Sequence, residues 1–358
     1  MIELDGTYGE GGGQMLRCAL ALSCLTRQPF RMTAVRQGRN DPGVKAQHVS
    51  AVRALLALSD ATAEGVSLGA KTVTFRPAPI RGRTLSIDVE TAGCLPLLLQ
   101  ALLLPCCFAD DKIRLKLKGG TDVRWGPTLD FFRELVLPHY QALADIKLEL
   151  VRRGFYPGGA GRIELTIRPR FSVPDDADWS RVAETVAREV SPLALDSSGT
   201  VHTIYGRSIA SNELRAQEVA ERQVRGAKAE LKELGRTAKI TKEYVDTKSI
   251  GTVITLWLSR GSNELPCISG SALGEKGKRA EIVGAEAASD LVRQITPAGG
   301  IDARLADQLL PLLALVGGSL TINAVTPHIQ SSVYAINAFL PDRLKHDGCR
   351  LWTHPEQC

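Results

Sequence analysis

Gly9-Glu10-Gly11-Gly12-Gly13-Gln14 stands between a short extended segment and the start of an apolar helix. Free backbone amides and the positive end of a helix dipole meet at such a place, and together they can hold a phosphate. The run is not a dinucleotide fingerprint, because Gln14 stands where a glycine is required. Neither it nor Gly274-Glu275-Lys276-Gly277-Lys278 has the Walker spacing. Taken alone, the run reads equally well as glycines that allow a tight turn.

A second group is cationic. Arg36 and Arg39 lie on the loop after a predicted strand at Phe30 to Val35, Lys45, Gln47 and His48 open the next helix, and Arg17 sits on the helix before. Arginine forks match phosphate oxygens, and a loop feeding a helix N-terminus can aim them. Solvated surface charge is the alternative for most of these residues. It does not suit Arg17, which interrupts an otherwise apolar helix and so needs an anionic partner. His328 occupies a similar loop-to-helix position late in the chain, where it could be a nucleophile or a satisfied structural group. Gln100, Asp307 and Gln308 are polar residues inside runs that otherwise exclude them, and such side chains are tolerated only with partners, structural or bound. In the tail, His346, Cys349, His354 and Cys358 have the residue types of a zinc site at spacing too tight for the usual finger.

The elements that must position these groups form a repeat. An apolar helix from Met15 to Leu25, a strand, the polar loop Arg36 to Gly43 and a helix to about Leu58 recur as helix Leu95 to Cys107, strand Ile113 to Leu117, loop Lys118 to Pro127 and helix Leu129 to Leu143. They recur again as helix Ala306 to Val316, strand Ser319 to Ala324, loop Val325 to His328 and helix Ile329 to Phe339. The first two copies end in predicted strand pairs, Val73 to Phe75 with Leu85 to Val89 and Lys147 to Val151 with Arg162 to Ile167. Corresponding loop points are much farther apart between copies two and three than between one and two, which predicts an insertion. Its content is a strand near Val201 to Ile209, a charged helix Glu213 to Leu234 and strands near Ile240 to Val245 and Thr252 to Ser259. The fold class expected is therefore α/β (α+β): residues 1–183 and 273–358 as one large domain of three repeated βα units, and 184–272 as a small inserted α+β domain. The first boundary lies between Pro174 and Pro192.

The composition bounds the function. Hydrophobic residues are 44% and charged residues 23%, which excludes a disordered, collagenous or coiled-coil chain. The net charge of +5 permits a polyanionic partner without demanding one. The longest apolar stretch, Cys94 to Phe108, is shorter than the ~20 residues of a membrane span, and the N-terminus lacks the pattern of a secretory signal. The eight cysteines form no C-x-x-C pair and mostly sit in apolar runs. Reduced thiols, a cytoplasmic location and no membrane partner are the expectations. Nothing in the sequence sets the oligomeric state.

A set of motifs, some of them quoted above, resembles the RNA 3′-terminal phosphate cyclase family along nearly the whole chain. They are Leu4-Asp5-Gly6 with Glu10 to Gln14, Leu16-Arg17, Arg36-Gln37-Gly38-Arg39 with Pro42-Gly43, Gln47-His48, Gly119-Gly120-Thr121-Asp122, Arg153 to Gly159, Leu305 to Gln308 and Pro327-His328. The resemblance implies a fold of three βα repeats with an inserted α+β domain. It also implies ATP-dependent conversion of an RNA 3′-terminal phosphate to a 2′,3′-cyclic phosphodiester, through a covalent histidine-AMP and an RNA-adenylate, releasing diphosphate and AMP. By the resemblance, His328 is the nucleophile and Asp307 orients its ring. Gln100, Arg304, Leu305, Ala306, Asp307 and Gln308 contact ATP, with Pro127 beside the adenine. Arg17, Arg36, Arg39, Gln47 and His48 hold nucleotide phosphates and the RNA 3′-phosphate end, and Glu10 holds a divalent cation, Mg or Mn. The sequence departs from the family pattern at Arg304, where an aromatic residue or histidine is usual, at Ser331-Ser332, at Ala160 and at Cys94-Leu95-Pro96. Two rival readings are a cyclase-like protein of ribosome biogenesis that binds RNA without adenylation, whose members lack the histidine, and an enolpyruvyl-transferase-like enzyme built from related repeats.

Overall fold

Among the described residues four sheets of four strands each organise the chain, and three of them are the same sheet built three times. The structure is a computed structural model that describes residues 1–9, 12–196, 203–233, 235–259, 265–295 and 300–353. The first repeat runs β1 (Ile2–Asp5), α1 (Gln14–Thr26), β2 (Phe30–Thr33), α2 (Ala46–Leu58), β3 (Thr62–Glu64) and β4 (Val73–Arg76). Its sheet order is β1-β2-β4-β3, with β1 and β2 parallel across α1 and the rest antiparallel. The second repeat is β5 (Thr84–Asp88), α3 (Leu95–Cys106), β6 (Ile113–Gly119), a helical segment, β7 (Ala144–Arg152) and β8 (Gly161–Pro169). The helical segment is α4 (Leu129–Phe131), a π turn over Phe132–Val136 and α5 (Leu137–Tyr140). Its order, β5-β6-β8-β7, repeats the first.

The linking helix α6 (Trp179–Ala187) leads to β9 (Leu193–Leu195). An α+β module follows: β10 (Ile204–Ser211), a 3-10 turn over Asn212–Gln217, α7 (Val219–Glu233), β11 (Ala238–Val245), β12 (Thr252–Leu258), β13 (Ile268–Leu273) and α8 (Ala280–Gln294). The third repeat then continues with α9 (Ala303–Val316), β14 (Gly318–Thr321), α10 (Pro327–Phe339), β15 (Leu344–His346) and β16 (Arg350–Thr353). Because β9 pairs parallel with β14, the third sheet has the order β9-β14-β16-β15, and the module interrupts this repeat between its first strand and its first helix.

These pairings correct three sequence readings. The strand at Leu85 belongs to β5 and opens the second repeat by pairing with β6, while the hairpin that closes the first repeat is β3-β4. Residue 184 is too early an edge for the insert, since β9 sits in the third-repeat sheet. Residue 272 is too early for its end, since β13 pairs with β12 and α8 packs on α7 and β13. The apolar texture near Glu281 that looks like a resumed repeat is the inner face of α8, where Val283, Ala287 and Leu291 are buried.

The first helices of the three repeats form the centre of the molecule. Every residue of α1 and α3 is buried, as is α9 from Leu305 to Val316; these helices pack on one another, and α1 and α9 also pack on α10. Helices apolar on every side are stable only when enclosed like this. Each large aliphatic side chain so enclosed contributes roughly 1.5–3 kcal/mol. Within its first two turns each of these helices carries a buried polar residue: Arg17 on α1, Gln100 on α3 and Asp307 on α9. Six thiols, among them Cys18, Cys94 and Cys106, are buried, and burial pushes the Cys94 thiol up to about 12. Among the described residues no helix is long and apolar enough to cross a membrane, and no cluster of histidine, cysteine and acidic side chains could hold a metal ion. Of the tail quartet, His346 ends β15 and Cys349 faces Asp347, while His354 and Cys358 lie outside the described residues.

Candidate active site

The buried polar residues of the first two repeats meet around one guanidinium. Arg17, 6% exposed, donates from Nε to Gln100 Oε1 at 2.7 Å and from Nη2 to Gln14 Oε1 at 2.7 Å. Its Nη1 lies 3.5 Å from His48 Nε2. Gln14 and Arg17 are one helical turn apart on α1, so both side chains lie on one face. Accepting from Arg17 fixes the amide orientation of both glutamines, and it leaves Gln14 Nε2 and Gln100 Nε2 buried with no hydrogen-bond partner. Buried amide donors left without an acceptor are costly, and they mark a place where a ligand oxygen belongs.

The histidine ring adds a further donor. The Lys45 backbone N–H donates to His48 Nδ1 at 3.1 Å, so the neutral ring carries its proton on Nε2, facing Arg17. Burial, and after it the charges of Arg17, Arg36 and Lys45, holds the His48 pKa well below its ordinary 6.5. A neutral N–H and a guanidinium turned toward each other form a donor pair suited to an anionic oxygen. Gly13 packs directly on this pair: a Cβ there would lie 3.1 Å from Arg17 Nη1 and would overlap His48 Nε2. That close approach is why glycine ends the loop.

The same loop reaches the helix of His328. Gly9 has φ +65° and lies so close to Ser331 that a Cβ would overlap its hydroxyl. Ser331 Oγ in turn donates to Pro327 O at 2.9 Å and to Tyr8 O at 3.4 Å, while the Tyr8 ring stacks on Tyr334 of α10 at 4.2 Å. Gly9 and Gly13 are four residue steps apart, which span at most ~14 Å. The exposed ring of His328, in the first turn of α10 behind the N-cap Thr326, is thus tied to the Arg17 cluster by a short tether. On the neighbouring helix, Asp307 Oδ1 accepts from Ser332 Oγ of α10 at 3.1 Å, and Asp307 lies near enough to Cys18 to help burial push that thiol up. Gln308 Oε1 is another buried atom with no partner.

The remaining predicted residues surround this centre or stand apart from it. Gln47 Oε1 accepts from the Cys94 N–H at 3.3 Å, and Cys94 Sγ donates to Pro127 O at 3.7 Å, which ties α2, the start of α3 and the Pro127 loop together. Arg36, at φ +57°, donates to Asp41 O at 3.3 Å, and Arg39 is exposed on the same turn. Leu305 and Ala306 are fully buried in α9. Arg304 points into the inserted module, where it donates to Ser269 O at 3.0 Å and to Asp290 at 2.8 Å. With Asp302, which accepts from Ser269 N and Oγ, it joins α9 to β13. Glu10 lies outside the described residues.

Sequence reasoning passed over a second buried network. Arg153, 2% exposed, donates from Nη1 to Asp122 at 2.9 Å and from Nη2 to Asp130 at 2.6 Å. Asp122 also accepts from Thr121 Oγ1 and Leu129 N, and Asp130 from Arg133. The network ties the loop after β6 to the loop between β7 and β8. The sequence carries Asp122 and Arg153 within glycine-bearing motifs and Asp130 on the helix that follows, and nothing in their spacing shows that the three meet.

The buried histidines make stability depend on pH. His48 lies well below 6.5, and burial pushes His139 down to about 4. The unfolded rings take up protons near 6.5 while the folded ones do not, so this stability is present at neutral pH and is lost as the pH falls below about 6.5. Urea midpoints at pH 7.5 and pH 5 should show the fall. His139→Gln should reduce it by roughly 1–2 kcal/mol, and an identical fall in that variant would contradict the assignment.

Comparison with known proteins gives one consistent result. The family model described as RNA 3′-terminal phosphate cyclase matches residues 8–345. The chain is 38% identical over 354 residues to a protein of Archaeoglobus fulgidus named RNA 3′-terminal phosphate cyclase, covering 98% of this chain and 99% of that one. Proteins of the same name from Pyrococcus furiosus and Pyrococcus abyssi are each 36% identical, with 95% and 97% of this chain covered and 93% and 96% of theirs.

Proposed function

Since the chain belongs to the RNA 3′-terminal phosphate cyclase family, we propose that it converts the 3′-phosphate of an RNA end to a 2′,3′-cyclic phosphodiester at the expense of ATP. One observation supports this reading above the others. Donors from two repeats converge around Arg17 with two glutamine amides left unpartnered, and the glycine loop that covers them rests on the helix of His328.

ATP is consumed in this reading and is therefore a substrate. A ring nitrogen of His328 attacks the α-phosphorus; an N–P bond forms, the bond to diphosphate breaks, and the ring proton passes to solvent. An oxygen of the RNA 3′-phosphate then attacks the same phosphorus and displaces the histidine, giving an RNA-adenylate. The neighbouring 2′-hydroxyl attacks the 3′-phosphorus and loses its proton, and AMP departs as the cyclic ester closes. Splitting a dehydration into displacements in this way is what a covalent nucleophile contributes.

The other residues bind and orient. Arg17, His48 Nε2–H and the free amides of Gln14 and Gln100 supply donors for phosphate oxygens in a site shielded from water, where such donors are most effective. Arg36 and Arg39, on the turn that feeds α2, would bind the RNA terminus. Asp307, fixed by Ser332, lies on the helix packed against His328's own. Pro127 and Gln308 would line the adenosine side. A divalent cation, Mg or Mn, would offset the charge of the triphosphate, and Glu10 is the residue assigned to it.

The test is incubation of 3′-phosphorylated RNA with ATP and a divalent metal. A 2′,3′-cyclic end, with AMP and diphosphate formed in equal amounts, is expected, and RNA ending in a 3′-hydroxyl should be inert. Conversion that does not require ATP would sink the proposal.

A further inference from the structure

Aromatic side chains are scarce in this protein, at 5% of residues, yet two of them stand together in solvent. Trp125 is 70% exposed and Tyr156 59%; their ring centroids are 5.5 Å apart with planes at 87°. Perpendicular rings form an open corner, and each keeps a face available for stacking. Two large aromatic rings exposed side by side form a contiguous apolar patch, the kind that marks an interaction site.

The pair is held rigidly. Trp125 lies on the loop after β6 and Tyr156 on the loop between β7 and β8, the two loops tied by the buried ion pairs of Arg153 with Asp122 and Asp130. Gly154 O accepts from the N–H groups of Thr121 and Asp122, and Gly158 N donates to Ser249 Oγ at 2.8 Å. One residue beyond Trp125, Gly126 packs on Cys94 Sγ, and the next residue is Pro127. The corner therefore stands at the rim of the site built from Gln47, Cys94 and Gln100. Its surroundings carry positive charge: Arg124 is exposed beside Trp125, and the side chain of Lys248 lies against Gly158.

We propose that Trp125 and Tyr156 form a stacking platform for the bases of single-stranded RNA immediately upstream of the 3′-phosphate. The inference rests on the cyclase reading for the identity of the strand. Stacking suits a substrate defined by its terminus, because every base offers a π face and no sequence is selected. The flanking cations meet the phosphodiester backbone, and the rigid loops spare the platform an ordering cost when RNA binds.

The test compares Trp125→Ala, Tyr156→Ala and Trp125→Phe with the wild type in steady-state kinetics on a 3′-phosphorylated oligoribonucleotide. Trp125→Ala should raise the KM for RNA roughly tenfold to a hundredfold, with kcat and the KM for ATP changed less than threefold, and Trp125→Phe should recover most of the loss. Tyr156→Ala should act in the same direction. An unchanged KM for RNA in both alanine variants would overturn the platform, as would a rise in the KM for ATP in its place. A second readout does not depend on turnover: the oligonucleotide should quench tryptophan fluorescence of the wild type more than that of Trp125→Phe. Equal quenching would overturn the platform even if the RNA is cyclised. Quenching specific to Trp125 without cyclisation would uphold it while removing the cyclase reading.

Discussion

His328→Ala should lose cyclase turnover by at least ~10³-fold while remaining folded. The ring is exposed on the first turn of α10, whose start is capped by the Thr326 hydroxyl accepting from Ile329 N at 3.3 Å, so the helix does not need the imidazole to begin. Substitution at an exposed helix position of this kind changes stability by only about 0.5 kcal/mol. A nucleophile is different in kind from a binding residue, because the covalent step itself is lost with it. Turnover of His328→Ala within tenfold of the wild type, measured on 3′-phosphorylated RNA with circular dichroism unchanged, would show that the chemistry passes through another group.

Arg153→Met should be destabilised by about 3–5 kcal/mol, a large share of the stability of any domain. Arg153 is buried against Asp122 and Asp130, both fully enclosed, with ion-pair distances of 2.9 and 2.6 Å. Methionine fills much of the volume and leaves two carboxylates without their principal counter-charge. Asp130 would keep Arg133, and Asp122 would keep Thr121 Oγ1 and the Leu129 N–H, so the loss is partial and not total. Arg168 provides the control. It pairs with Asp145 at 3.0 Å across an exposed sheet edge, and Arg168→Met should cost no more than about 1 kcal/mol. Urea midpoints of the two variants should differ accordingly, and similar values would show that burial of the Arg153 pair carries no special weight. Because the network holds the loops of Trp125 and Tyr156, Arg153→Met at permissive temperature should also weaken RNA binding.

The threefold repeat was legible because its central helices are apolar on all sides, a texture that survives without any tertiary information. Its edges were not. β9 is three residues long, and the inserted module separates it from α9, so no local pattern marks it as the opening strand of the third repeat. The hairpin β15-β16 is equally short. α8 misleads for a physical reason: a helix packed on another helix inside the module presents the same small apolar stripe as a helix of the repeat.

At the site, Arg17 was readable because a charge inside an apolar helix must be answered, and Gln14, Gln100 and His48 answer it. Gln14 appeared in sequence only as the end of a glycine loop, although its position one turn before Arg17 carried the signal. Arg304, which departs from the aromatic residue or histidine usual at that place in the family pattern, donates to Ser269 O and Asp290 and so joins α9 to the inserted module. The pairing of Trp125 with Tyr156 was invisible, because two loops from different parts of the second repeat must close before the rings meet.

In the proposed mechanism His328 becomes covalently bound to AMP. Incubation with ATP labelled at the α-phosphate and a divalent metal, followed by denaturing electrophoresis and peptide mapping, tests it directly. Label that stays with the protein, is released by acid, maps to the peptide containing His328 and is absent from His328→Ala is the predicted result. Wild-type protein that cyclises RNA without ever carrying label, or label that persists in His328→Ala, would contradict it.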